Sequence, residues 1–258
     1  MRRIFLIIII LSISCGAMAQ KNKKQRQAEK RAHVNSLVKQ EEEGVIAYKK
    51  SFVFGAKLIN DGYGVFFELG RASSVKKSTL YQLEISERKH IKEDKQSYPF
   101  INSVPFIYGK ENFFYPVKLG VQQQVLLGNK SNKNGVSITA NYGGGLSLAL
   151  LRPYYVQVQK GNEFVYVKYN SPDSLLFLNS PVGGPTLSKG WSDLTVTPGV
   201  YAKTSVRFDY GSYNEIVSAI EVGLSGEYYT KKIPILLKAT QRQFFFSAYV
   251  AFVFGKRK

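Results

Sequence analysis

The chain carries one cysteine among 258 residues, and that residue, Cys15, lies in the first apolar stretch. Downstream of it no disulfide, zinc–thiolate site or cysteine nucleophile can form. Histidine is nearly as scarce, with only His33 and His90, which leaves little material for an acid–base triad. Beyond residue 20 there is no apolar run of the about 20 residues that a membrane-spanning helix needs. A membrane location would have to be reached with strands. Acidic residues are also few: 18 Asp and Glu stand against 36 Lys and Arg, a formal net charge of +18.

The apolar run itself reads as an address. Arg2 and Arg3 precede "IFLIIIILSI", and "AMA" precedes Gln20. A positive start, a short greasy middle and a small-residue exit predict a secretory signal peptide over 1–19. The alternatives are an uncleaved anchor and lipidation of Cys15. Against lipidation stands Ser12, three residues upstream, where bacterial lipoprotein signals carry leucine. Export directs the basic excess toward outer-membrane lipids, lipopolysaccharide phosphates and cell-wall polymers. Nucleic acid is not an expected partner, because no binding motif accompanies the charge.

Residues 20–49 are highly charged and almost without aromatics. They are expected to form a periplasmic segment, a solvated tether or a short helix with Ala28, Val34, Leu37 and Val38 on one thin stripe. A weak contact with the cell wall or an envelope protein partner is the sharper version. From 50 to 258 the chain becomes one aromatic, glycine-rich domain with strict alternation. "GVYAKTSVRFD" (199–209) puts Val200, Ala202, Thr204, Val206 and Phe208 on one side and Tyr201, Lys203, Ser205, Arg207 and Asp209 on the other. Period two means β-strand. The same test marks "SFVFGAKL", "YGVFFELG", "STLYQLEIS", "FFYPVKLGVQQQVL", "VSITANYGGGLSLAL" and "NEIVSAIEVGLSGEYY"; the last strand, "FFFSAYVAFVFG", is apolar on both faces. Several are long enough for a tilted membrane strand of about 9–11 residues. Aromatics gather near their ends, as the girdles of a barrel require.

These features predict an all-β fold: an antiparallel transmembrane β-barrel of about ten strands, with eight to twelve as the range. The count of ten includes "VPFIYG" (104–109) and the alternating stretch after Arg152-Pro153. With the N-terminus in the periplasm, short inner turns are expected at 73–77, 110–112, 152–153 and 210–213. Outer connections then fall at 61–62, 87–104, 128–134, 161–196 and 230–241. Orientation follows: apolar faces toward lipid, charged faces into the lumen. The inward set comprises Lys57, Lys118, Lys203 and Arg207 as bases, with Glu68, Glu84, Asp209, Glu221 and Glu227 as acids. Near-parity of sign predicts a network of internal pairs in a filled or narrow lumen. Inward glycines make room for larger neighbours, and "GGG" at 143–145 reads as a strand bend, since no phosphate-loop context follows.

Chemistry is weakly represented. His90 in "SERKHIKEDK" has Ser86, Glu87, Glu93 and Asp94 nearby, so a triad or a metal site is conceivable, but a charged loop of this composition is ordinarily just solvated. No catalytic residue, cofactor or metal is expected. Arg88, Lys89, Lys92, Lys95, Lys130 and Lys133 are assigned to outer loops facing lipopolysaccharide. Trp191, in the longest loop, has three open readings: a binding surface, a plug in the mouth, or a headgroup-level anchor.

In order along the chain, "FGAKL" with "NDGYG", "YGKEN", "RPYY", "TPG" and the ending "FVFGKRK" give a sequence that resembles poorly characterised outer-membrane β-barrel proteins of Gram-negative bacteria. The resemblance spans residues 54 to 256 and implies a barrel fold and an outer-membrane address, with no catalytic residues. The ending departs from the porin pattern, since Phe254 is followed by "GKRK" rather than standing last. The functional expectation is a non-enzymatic barrel that is structural or part of an envelope assembly. The alternatives are a small passive channel, an outer-membrane enzyme acting on lipid or peptide, and a soluble β-sandwich or lipocalin-like barrel.

Overall fold

Length separates two kinds of alternating segment in the computed structural model, which describes residues 27–32, 35, 49–74, 76–97, 104–130, 135–169, 174–179, 181–211 and 215–258. The expected signal peptide and most of the charged segment lie outside the described residues; within that segment, 27–32 are helical and exposed. In chain order the strands are β1 (Lys50–Ile59), β2 (Gly62–Ser74), β3 (Lys77–Arg88), β4 (Lys95–Gln96), β5 (Phe106–Ile107), β6 (Asn112–Gly128) and β7 (Ser137–Pro153). They continue with β8 (Tyr155–Lys160), β9 (Glu163–Lys168), β10 (Pro181–Gly183), β11 (Thr195–Asp209), β12 (Ile216–Ile233) and β13 (Arg242–Arg257). A short helix, Ser174–Asn179, sits between β9 and β10.

Eight strands form an antiparallel ring in the order β1-β13-β12-β11-β7-β6-β3-β2, with β1 hydrogen-bonded to both β2 and β13. The ring therefore has eight strands, not ten. The two surplus segments were too short to reach across it. "VPFIYG" contributes only the two residues of β5, which pair with β4. The six residues of β8 join β9 and β10 in a separate three-stranded sheet. Every ring strand has at least 10 residues, whereas among the described residues no strand outside the ring exceeds six.

Removing two crossings reverses β6 and β7 relative to the ten-strand count and so moves three connections. β6 ends and β7 begins at the end that holds Lys50 and Lys258; residues 131–134 between them lie outside the described residues. Residues 110–112 and 152–153 lie at the opposite end. The strand ends at the terminal end are those joined after β2, β6 and β11, by few residues in sequence. The other end carries the tight turn at Asn60-Asp61 and three larger excursions, after β3, β7 and β12. Those excursions build a cap with its own apolar core of Ile107, Tyr154, Val156, Val158, Val167, Phe177 and Leu236. Tyr154 ties two of them together, its hydroxyl accepting the Ile107 N–H at 2.8 Å.

The ring is inverted relative to a water-soluble barrel. Outward side chains such as Phe54, Leu58, Leu83, Leu119, Leu148, Val200, Leu224 and Phe252 are exposed, Leu146 by 65%. Lys203 and Arg207, from the alternating segment 199–209, are buried inside. Inward glycines accept aromatic rings: a Cβ on Gly55 would meet the Phe66 ring at 2.3 Å, and one on Gly120 would meet the Tyr201 hydroxyl at 2.5 Å. These close approaches let large rings fill a bore that an eight-stranded wall leaves narrow.

Candidate functional site

The interior is layered. Toward the terminal end Val53, Phe66, Val217, Ala219, Tyr249, Ala251 and Val253 form an apolar cluster. Toward the cap Phe114, Ala149, Leu151, Tyr229, Ile233 and Ile235 form another. Charged side chains projecting from β1, β2, β3, β6, β11 and β12 fill the space between and around them.

Strand parity places each charged group, and ladder register decides which of them meet. Glu84 on β3 lies opposite Lys118 on β6, and its carboxylate takes Lys118 Nζ at 2.9 Å and Lys57 Nζ at 2.7 Å. Lys118 also reaches Glu227 at 2.6 Å. Arg207 on β11 lies opposite Glu221 on β12 and bonds it at 2.6 Å, while spanning the bore to Glu68 at 2.7 Å. Lys203 stands 3.5 Å from Glu221 Oε1, the same oxygen that accepts the Tyr249 hydroxyl at 2.7 Å, while Arg207 holds Oε2. Asp209 sits apart at the terminal end, with Arg257 at 2.6 Å and Lys130 at 3.6 Å. All nine residues assigned to the lumen are buried. Eight of them belong to two linked constellations, centred on Glu84–Glu227 and on Glu221–Glu68.

A tenth member escaped the sequence reading. Arg88, assigned there to an outer loop, is 1% exposed and points inward. It bonds Glu227 at 2.9 Å, Asp61 through Nε at 2.9 Å and the Ser247 hydroxyl at 2.5 Å. The signal was available: Gln82, Glu84 and Ser86 face inward, so Arg88 continues their parity. Lys130 is likewise displaced from the cap end to the terminal end, where it donates to the Gly211 carbonyl at 2.6 Å. Lys133 lies outside the described residues. With Arg88 included, five cations inside the ring face Glu68, Glu84, Glu221, Glu227 and the turn residue Asp61, while Asp209 keeps its own pair of cations. A missing partner would strand a buried charge at a cost of several kcal/mol, so such a network demands completeness.

No triad forms around His90. Ser86 is buried on the inward face, and its hydroxyl has no partner among the described residues. His90 Nδ1 accepts the Lys92 N–H at 3.2 Å, and Glu93 is occupied by the His90 N–H at 2.9 Å and Lys110 Nζ at 2.5 Å. Burial and the nearby Arg242 and Lys92 lower the His90 pKa from its ordinary value, with Glu93 opposing. Among the described residues no group of three or more His, Cys, Asp or Glu could hold a metal ion. Trp191 lies on the outer face rather than in the mouth. It stacks on Tyr115 with centroids 5.7 Å apart, donates to the Leu187 carbonyl at 2.8 Å, and has the Arg152 guanidinium against its ring.

No family model matches the chain, and no curated protein matches it. Among solved structures it is similar to Neisserial surface protein A (NspA), with a TM-score of 0.38 and 8% identity over 81% of this chain and 96% of that one. It is also similar to the N-terminal β-barrel domain of Pseudomonas aeruginosa OprF, with a TM-score of 0.36 and 8% identity over 81% of this chain and 98% of that one. At 8% identity no residue of this chain inherits a role from either.

Proposed function

We propose that the chain spans the outer membrane as an eight-stranded barrel and acts as a non-conducting, non-enzymatic structural element of the envelope. The observation that carries this reading is the inversion of faces. Exposed Phe, Leu, Val, Ile and Tyr side chains line the outside of every ring strand, while the charged groups are enclosed. Soluble monomers rarely expose contiguous apolar patches beyond a few hundred Å², and this one continues around the whole ring. Hydrocarbon is the solvent such a surface suits. The ring strands have 10 to 18 residues, against the about 9–11 that a tilted membrane strand needs.

The filled interior supports the non-conducting part. Two apolar clusters and a charge network occupy the bore, and a cap with its own core sits at one end. The basic groups left at the ends and in the loops suit anionic lipid and lipopolysaccharide phosphates, with envelope proteins as further partners. Purified protein refolded in detergent is expected to migrate differently on gels before and after boiling, to fractionate with outer membranes, and to give no discrete current steps in planar bilayers. Reproducible conductance steps would replace this reading with a passive channel; fractionation with soluble periplasmic protein would overturn it.

A further inference from the structure

The wall of the ring is uneven. The hairpin of β1 and β2 turns at Asn60-Asp61, while β12 and β13 continue past it. Ile59 pairs with Tyr249 and Asn60 N–H bonds the Ala248 carbonyl; Arg242 and residues 244–247 then have ladder partners on β12 and, among the described residues, none on the β1 side. A cleft of about 560 Å³ opens in this gap, lined by Asn60, Asp61, residues 88–93, Ile235, Ala239, Thr240, Arg242, Phe245 and Phe246. Arg88 braces its floor by joining Asp61, Glu227 and Ser247 across the missing ladder.

The cleft's charges do not cancel. Its two acids are taken: Asp61 by Arg88, and Glu93 by Lys110 and the His90 N–H. Lys89, Lys92 and Arg242 have no carboxylate partner among the described residues; Lys89 lies only against the Tyr63 ring, 5.2 Å from its centroid. Arg242 shares the outward strand parity of Phe244 and Phe246, both exposed, and lies one step nearer the cap along the same face. Ile91, 94% exposed, adds an apolar flank. Cations above and hydrocarbon below match an amphiphile with an anionic head, and phosphate is the membrane anion that guanidinium and ammonium groups bind best.

We propose that this cleft binds the phosphorylated headgroup of a membrane lipid, with Lys89, Lys92 and Arg242 on the phosphate and Phe244 and Phe246 beneath an acyl chain. The site rests on the outer-membrane reading, because only a bilayer brings such a lipid to the outer wall. It differs from general electrostatic adhesion in being one gap, with one set of cations.

The test uses the full chain refolded in detergent, its insertion checked first by heat-modifiable migration. Phosphatidic acid is then titrated and retained lipid counted by native mass spectrometry. Charge-assisted contacts of this kind predict that K89Q/K92Q/R242Q weakens retention by about tenfold or more. The control K50Q/K256Q/K258Q removes equal charge at the other end and is expected to change retention by less than about twofold. Diacylglycerol, which lacks the phosphate, should be retained no better by the native chain than by the cleft variant. Equal losses in both triple variants, equal retention of diacylglycerol and phosphatidic acid, or displacement of the lipid by inorganic phosphate alone each overturns the site. A dimer appearing in place of the lipid adduct assigns the open edge of β13 to a second copy and overturns it too. Failure to insert overturns the outer-membrane reading and this site together, whereas an inserted barrel without selective retention overturns the site alone.

Discussion

The ring and its cap enclose their interiors with opposite chemistry. Inside the ring, charged groups from six strands are joined across the bore, and the apolar residues sit in two separate clusters. The cap buries Val156, Val158, Val167 and Phe177 against one another in the ordinary manner of a small soluble domain. The difference follows from the direction in which each apolar face points. Ring strands spend their apolar face on the outside, so period two leaves the polar face for the interior. The short cap strands stand clear of that surface and can turn apolar residues inward. A polar interior is stable only when complete, whereas an apolar core degrades by increments, so damage to the two should look different.

Glu84→Ala is the hardest test of that contrast. Among the described residues it removes the only carboxylate bonded to Lys57 and one of the two bonded to Lys118. Leaving a buried cation without its partner costs about 3–5 kcal/mol. The expected result is a lower midpoint for the whole ring when refolded protein is unfolded in urea, with cap and ring lost together. Tyr154→Phe probes the other side. It leaves the buried Ile107 N–H without its acceptor, a cost of about 1–3 kcal/mol. The loss should stay local: faster hydrogen exchange and proteolysis within residues 104–110 and 154–169, with the heat-modifiable band of the ring unchanged. If Tyr154→Phe lowers the ring's urea midpoint as much as Glu84→Ala does, cap and ring are one cooperative unit and the contrast fails.

Much of the ring was legible because parity is a strict rule. Once Lys203 and Arg207 were placed inside, Lys57, Glu68, Glu84, Lys118, Glu221 and Glu227 followed from alternation along their own strands. Pairing was not legible, since Arg207 meets Glu68 across the bore through ring order and stagger, which no single strand encodes. The strand count erred where alternation was accepted without length. β8 alternates well, but its six residues cannot span what its ring neighbours span in 10 to 18. Arg88 was missed for the converse reason: β3 was ended two residues early, and a buried arginine was taken for a loop cation. The cleft beside β13 had no signature in the sequence, because it arises from the unequal heights of neighbouring strands.

The smallest expected effect sharpens the comparison at the cap surface, where a carboxylate is paired but not enclosed. Asp193 accepts hydrogen bonds from Lys168 Nζ at 2.8 Å and the Tyr155 hydroxyl at 2.5 Å, tying the segment before β11 to β8 and β9. The Lys168 bond, then the Tyr155 bond, pull its pKa from 3.8 down to about 2. A carboxylate depressed on folding stabilises the folded state above its unfolded pKa, and that contribution is lost as pH falls through the folded value. The cap should therefore loosen between about pH 4 and pH 2, and solvent screening keeps the effect slight. Asp193→Asn should remove this pH step while leaving cap stability at pH 7 nearly unchanged, as read by hydrogen exchange of β8 and β9. A large loss at neutral pH would mean that the pair holds the cap down, and that the cap, like the ring, depends on ionic pairing rather than on its apolar core.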